Sequence, residues 1–560
     1  MKTAFKGLLL VLASLAGFSC QPSGDSFDLL ILNGKVVDGT GNPWFRADVG
    51  IRGEKIVAVG KLGNARAKRT VDAEGKIVSP GFIDMLGQSE LALLVDNRAM
   101  SKISQGITTE ITGEGESAAP VNERILSEWK PFLEKYGVKV DWSDFDGYFR
   151  RLEAHKAAIN LASFVGATQL RQYVIGFENR QPTQQELDQM KELLHRAMQQ
   201  GALGLSTSLV YAPAAYARTE ELIELAKVAA EEGGIYISHI RDEGDKEIQA
   251  VLEAGDIGRA AKIPVQIWHL KVSGKRNWGN MPEIVKQIES HRRQGIDMTA
   301  DLYPYIAGAT GLSATMPGWA LEGGTAKLLE RLQSTMDRGN IRVQLESDKF
   351  DRQNFYRDAG PEGILIGSVY NPALKQYEGK RLSDIAKEQK KHPADALMDL
   401  IVADSARTGA IYFMMSEQDV RIALAQPWAS FNTDYNAVAP DGPFSGGKPH
   451  PRTYGSFPRI LGKYVREEGL MPLEEAVRKM TSLPANRVGL RERGLLKPGF
   501  YADVVMFDPA RVVDKATFED PHQYSEGIEL VLVNGQPVWE AGKFTGNLPG
   551  KVLRGPGYKR

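Results

Sequence analysis

Hydrophobic positions along the chain fall into two regimes. At both ends, apolar residues come in short runs broken by Asn-Gly and Gly-Glu pairs, the pattern of strands joined by tight turns. Residues 27–37 predict a hairpin turning at Asn33-Gly34, residues 47–60 a second turning at Gly53-Glu54, and residues 528–539 a third turning at Asn534-Gly535. Residues 502–508 predict a further strand. Between these ends the period changes. Thr183 and Glu186 form a capping box, which opens a helix with Leu187, Met190, Leu194 and Met198 on one face and Gly201 as its stop. Apolar strand patterns follow at 202–206, 235–239, 265–269 and 297–303, with a helical pattern over about 220–232 and another between the second and third strands.

Repeated strand–helix units call for a parallel sheet, and their number and spacing favour a (β/α)8 barrel. The expected fold is therefore α/β. A TIM-like barrel spans residues 81–485 with an insertion at about 306–365, and one small β-sandwich is built from both termini, residues 27–80 and 486–560.

Composition adds limits. The 560 residues carry 69 Lys+Arg against 70 Asp+Glu, so no basic stripe points to nucleic acid. Hydrophobic residues make up 42%, as in ordinary globular proteins. The N-terminus reads as a targeting segment. Lys2 and Lys6 flank a basic start, residues 7–16 are apolar but too short to span a bilayer, and Cys20, the only cysteine, follows. Residues 1–20 resemble a bacterial lipoprotein signal peptide, with residues 21–26 as a flexible tether. The expected location is outside the cytoplasm, as a periplasmic or outer-membrane-anchored lipoprotein or a secreted protein. Membrane contact would then be through the N-terminal lipid alone.

The candidate chemistry lies at strand ends. His239 and His269 each end an apolar strand, one βαβ step of about 30 residues apart. That spacing sets the two imidazoles side by side at the C-terminal mouth, where barrel active sites sit. Asp301 ends the next strand and Asp434 closes a later one at 428–434. Histidines 155, 195, 291, 392 and 522 fall in helical or loop contexts and are expected on the surface.

Residues 79–90 read Ser-Pro-Gly-Phe-Ile-Asp-Met-Leu-Gly-Gln-Ser-Glu. This resembles the Pro-Gly-Phe-Ile-Asp-x-His-x-His opening of the amidohydrolase superfamily, whose two histidines bind metal, but Leu86 and Gln88 stand in their places. Segments 105–113, 208–217, 301–308 and 450–459 resemble the D-aminoacylase (N-acyl-D-amino-acid deacylase) family, and the likeness runs from about residue 27 to the C-terminus. The resemblance implies His239 and His269 as metal ligands. The family's zinc-binding cysteine after the second strand aligns with Glu114, with Glu116 as the alternative.

A His2Glu set is known for catalytic zinc with an open fourth position, and its harder oxygen makes Mn2+ or Fe2+ less unfavourable than a thiolate would. One divalent metal is expected, Zn2+ foremost. The resemblance further implies Asp434 as general base and then acid toward metal-activated water. It implies Arg452 as the grip on a substrate carboxylate, with Tyr303 and Tyr211 in the same site, and places Lys271 and Asp301 behind the ligands, Lys271 balancing the charge of Glu114. Ala309 replaces a family serine. The expected activity is metal-dependent hydrolysis of a non-peptide amide in a small carboxylate-bearing substrate, an N-acyl-D-amino acid. A D-peptide or isoaspartyl-type dipeptide, a cyclic amide and a lactone remain open as substrates, as does a ligand-binding homologue without catalysis.

Overall fold

In a computed structural model, which describes residues 26–559, the middle of the chain closes into a barrel. Its parallel strands are β1 (Phe82–Asp84), β2 (Ile107–Thr112), β3 (Asn160–Ser163, continuing as Val165–Gly166), β4 (Gly204–Ser208), β5 (Ile235–His239), β6 (Val265–Ile267), β7 (Met298–Leu302) and β8 (Ala429–Phe431). Pairing runs β1–β2–β3 on one arc and β3–β4–β5–β6–β7–β8 on the other. The ring shuts where the amide of Met85 donates to Phe431 O at 3.2 Å and that of Asp434 to Leu86 O at 2.8 Å. Every residue of β4, β5 and β7 is buried, as expected of strands covered on both faces. The Thr183 capping box forms, and the helix Gln184–Gln199 buries Met190, Leu194 and Met198.

The seam between β1 and β8 rests on a buried ion pair. Lys102 Nζ donates to Asp84 Oδ2 at 2.8 Å, Thr433 Oγ1 at 2.7 Å and Tyr435 O at 2.7 Å. Asp84 Oδ1 accepts the Thr433 amide at 2.9 Å. Neither charged side chain is exposed to solvent. Burying two charges is tolerated because each is paired and every Lys102 proton finds an acceptor. The result fixes the residues on either side of Leu86, Gln88 and Asp434.

Strand β7 pairs directly with β8, so the chain between them lies outside the barrel. It builds its own antiparallel sheet from Ala307–Gly311, Gly409–Phe413 and Ile364–Ser368. The excursion is thus longer than the expected 306–365, returning only at Ala429. Short apolar strands of an insertion look the same in sequence as those of a barrel, which hid the boundary.

The two termini form one continuous nine-stranded sheet around a shared core that includes Leu29, Ile31, Val49, Ile51, Val504 and Leu532. Two of the expected hairpins form, Phe45–Arg52 with Lys55–Gly60 and Ile528–Val533 with Gln536–Glu540. The third does not, because Ser26–Val36 is a single strand. Asn33, at φ 58°, makes a bulge with a register shift between Ile31 and Gly34. A side chain on Gly34 would come within 2.7 Å of Val78. The tail also departs from expectation. Residues 550–555 leave the terminal sheet for the barrel, where the Leu161 amide donates to Lys551 O at 2.9 Å and the Gly555 amide to Gly201 O at 2.8 Å. Ser26, expected in the tether, already belongs to the first strand, and the leader over 1–20 lies outside the described residues.

Lys102 answers two buried carboxylates, Asp84 and, at 3.6 Å, Glu110, so its removal leaves both without a cation. Lys102→Met should therefore destabilise by about 3–5 kcal/mol, and Lys102→Met/Asp84→Leu by clearly less than the sum of Lys102→Met and Asp84→Leu. Urea titration of the two single variants and the double variant checks this. A double variant that loses as much as the sum of its singles would contradict the pairing.

Candidate metal and substrate site

Three side chains converge at the C-terminal mouth. Glu114, just past β2, places Oε1 at 2.9 Å from His239 Nδ1 and 3.0 Å from His269 Nε2. The two imidazoles stand edge to face with centroids 4.4 Å apart. All three candidate donor atoms lie within 4.8 Å of one another, a His2Glu set that suits a tetrahedral zinc with one position left open. Glu116 lines the same cavity but stands outside this donor group, its Oε1 accepting Gln172 Nε2 at 2.7 Å. Burial acts to raise the Glu114 carboxyl, but the hydrogen bonds from His239 and His269 outweigh it and hold it well below the usual carboxylate range.

A second layer orients the rings. Glu243, four residues after His239 and buried, sets Oε1 at 3.0 Å from His269 Nδ1 and 2.5 Å from Lys271 Nζ. Lys271 Nζ also lies 2.7 Å from His269 Nδ1. Lys271 therefore balances Glu243, not Glu114 as expected. Contacts of this kind fix which ring nitrogen faces the donor centre. Asp301 is fully buried and accepts the His269 amide at 2.9 Å, as well as the side-chain amides of Gln266 and Asn432. Burial pushes its carboxyl up to about 7. Its role is to hold the backbone of His269, which sits at φ 37°. Asp434 is at φ 45°. Non-glycine residues in this region store strain that the surrounding structure must impose.

Asp434 and Arg452 face each other across the opening. Arg452 Nη1 lies 2.8 Å from Asp434 Oδ2, an ion pair without good hydrogen-bond alignment, and Arg452 Nε has no partner among the described residues. The guanidinium stacks over Tyr303 at 4.4 Å, and Nη2 reaches Ala309 O at 3.4 Å. Burial raises the Asp434 carboxyl, against the opposing pull of Arg452. Tyr211 lies edge-on to His239 at 5.2 Å, and its hydroxyl donates to Thr310 Oγ1 at 3.0 Å. These side chains line one cavity of about 620 Å³, to which the insertion adds Thr310, Phe355, Tyr412 and Met414.

Gln88 and Glu243 were missed by sequence reasoning. Gln88 does more than mark a lost ligand: its Nε2 donates to Glu114 Oε2 at 3.1 Å and to Asp434 Oδ1 at 2.9 Å. Glu243 lies in the loop after the strand that ends at His239, where no periodic signal marks it. Among the other histidines, His291 is buried rather than on the surface. Its ring occupies space that Gly255 leaves free, where a side chain would come within 2.4 Å of it.

A parallel barrel with two histidines and a carboxylate at its mouth is the arrangement of an amidohydrolase. A family profile described as "Amidohydrolase family" matches residues 394–539. The D-aminoacylase of Alcaligenes xylosoxydans xylosoxydans is 38% identical over 537 residues, 95% of this chain and 99% of that one. The N-acyl-D-glutamate deacylase of Bordetella bronchiseptica, solved with zinc and a phosphonate mimic of the tetrahedral intermediate, superposes with a TM-score of 0.79 at 36% identity, covering 95% of this chain and 100% of that one. A D-aminoacylase structure concerned with one-metal activation and second-metal attenuation of a binuclear centre superposes equally well, TM-score 0.79 at 39% identity over 94% and 100% of the two chains. The chain belongs to the D-aminoacylase family of amidohydrolases.

Glu90 also lines the cavity, and its Oε1 accepts the Gly113 amide at 2.6 Å. Burial, with the charges of Glu110 and Glu114 nearby, pushes its carboxyl up to about 8. A carboxyl raised on folding favours the native state at low pH. That contribution is complete below the unfolded value near 4.3 and is lost as pH rises through about 8. Glu90→Gln removes the titration, so its urea midpoint should gain on the wild type between pH 5 and pH 8. A constant difference between the two proteins over that range would show that Glu90 is already ionised at pH 5.

Proposed function

We propose that this chain hydrolyses the amide bond of N-acyl-D-amino acids with one divalent cation, zinc foremost, held by Glu114, His239 and His269. The observation that carries the reading is a single cavity in which this donor set stands beside the Asp434 carboxylate and the buried Arg452 guanidinium. When bound, such a cation lowers the pKa of water and polarises a carbonyl. The protein's own groups do the rest. Arg452, stacked on Tyr303 with Nε unpartnered, offers a planar fork to the substrate carboxylate. Asp434, raised by burial, takes a proton from the attacking water and returns it to the leaving nitrogen. Lys271 and Glu243 keep the His269 ring in place, and the Tyr211 hydroxyl stands on the wall beside His239.

The single-cation reading is supported by Gln88. Its amide lies between Glu114 and Asp434, in the place of an imidazole that would help hold a second cation, and Leu86 offers no ligand atom. In the related D-aminoacylase, one metal activates and the second attenuates.

Asp434→Asn should lower kcat on an N-acyl-D-amino acid by about 10²–10⁴-fold. Arg452→Met should raise KM by about tenfold or more. Steady-state assays with D- and L-enantiomers of one N-acetyl amino acid check both. Equal turnover of the two enantiomers, or an unimpaired Asp434→Asn enzyme, would refute the assignment.

We further read residues 1–20 as a lipoprotein leader, on the strength of Lys2, Lys6, the apolar run 7–16 and Cys20. Cys20→Ala should then move the protein from the membrane fraction to the soluble fraction of cells. An unchanged partition would remove the lipid anchor from the account.

A further inference from the structure

Arg352, partly buried, stands apart from the buried arginines. Arg171, Arg452 and Arg493 each face a carboxylate, on Glu221, Asp434 and Asp503 respectively. Arg352 makes no ion pair among the described residues. Its Nε and Nη2 are buried without a hydrogen-bond partner, and Nη1 has only a long bond of 3.4 Å to Met316 O. The adjacent Asp351 spends its carboxylate on the Gly318 amide, at 3.0 and 3.2 Å. Two guanidinium nitrogens kept from water and left unpaired are unfavourable unless an anion completes them.

Three cavities touch Arg352, and their walls differ in charge. One of about 560 Å³ also carries Glu220, Glu253 and Asp351, and one of about 60 Å³ carries Asp242, Asp245, Asp348 and Asp358. Both also carry cations, Arg218 and Arg241 in the first and Lys246, Arg276 and Arg357 in the second, so carboxylates already offset the positive charge there. The third, of about 210 Å³, is an annexe of the active-site cavity, sharing Tyr211, Ala212, Thr310 and Gly311 with it. Its other walls are apolar or hydroxylic, from Phe177, Ser313, Leu321 and Leu328 among others, with no acidic residue, and Arg352 is its single charged side chain. The hydroxyl pair Tyr211–Thr310, 3.0 Å apart, stands on the shared wall.

We propose that the annexe is a subsite for a second carboxylate of the substrate, distal to the one held by Arg452, and that Arg352 is its anchor. The inference rests on the deacylase reading and deepens it by naming the substrates as dicarboxylates. The second carboxylate has two chemical sources, the side chain of the D-amino acid or the far end of the acyl group. In either case it meets a partly desolvated guanidinium, where a charge-assisted bond is stronger than a neutral one.

The test uses the metal-loaded wild type with Arg352→Met and Arg352→Lys. N-acetyl-D-glutamate against N-acetyl-D-glutamine probes the side-chain source, and N-succinyl-D-alanine against N-succinamoyl-D-alanine probes the acyl source. The wild type should favour the carboxylate over its neutral isostere in kcat/KM by about tenfold or more in one pair. The ratio should fall toward unity in Arg352→Met and be partly kept in Arg352→Lys. Ratios near unity for both pairs in the wild type, or a preference that survives Arg352→Met, overturn the subsite. Should the wild type turn over none of the four, calorimetric binding of the same compounds separates the two ideas. Carboxylate-selective binding lost in Arg352→Met upholds the subsite and refutes only the deacylase reading, while unselective binding overturns the subsite too.

Discussion

The site depends on one oxygen. Glu114 Oε1 sits within 3.0 Å of a nitrogen on each of two histidines, and the neighbouring charges are arranged around that contact. A carboxylate buried at a barrel mouth is stable only with compensation. Here the compensation comes from the imidazoles on one side and the Gln88 amide on the other. Behind them, Glu243 adds a second buried negative charge, which Lys271 answers at 2.5 Å. Asp434 adds a third, which Arg452 answers at 2.8 Å. Each anion thus has its own partner, and the open space lies between the pairs.

This arrangement is rigid because the barrel makes it so. Strand ends supply His239 and the run into His269, Asp301 pins the His269 amide, and the Asp84–Lys102 pair locks the seam next to Asp434. The positive φ at His269 and Asp434 is held by hydrogen bonds from their own amides, to the Asp301 carboxylate and to Leu86 O. Backbone strain of about 1–3 kcal/mol per residue at these two positions is affordable only in so constrained a setting. Function and fold meet at the seam, since the same turn that closes the ring aims the base.

Much of this was legible from residues alone, for identifiable reasons. The step between His239 and His269 matches one βαβ unit, so their adjacency follows from the barrel. Hairpins at Gly53-Glu54 and Asn534-Gly535 follow from turn chemistry. The failures are equally physical. Asn33-Gly34 takes the left-handed conformation that a turn needs but uses it for a bulge, and local sequence cannot separate the two. The insertion's strands carry the same apolar pattern as barrel strands, so its end was placed too early. Glu243 lies in a loop where no periodicity operates. Gln88 was read as a missing ligand because its partners, Glu114 and Asp434, come from distant parts of the chain. His291 was assigned to the surface because its burial depends on a glycine on another helix.

The central claim is that a glutamate in place of the family's cysteine, with Gln88 in place of a histidine, builds a centre for one cation. Elemental analysis of zinc-saturated protein, after removal of loosely bound metal, tests it most directly on three proteins: wild type, Glu114→Ala and Leu86→His/Gln88→His. The account predicts about one ion per chain in the wild type, close to none in Glu114→Ala, and a rise toward two in the double variant. Two ions in the wild type, or a full complement in Glu114→Ala, would contradict it.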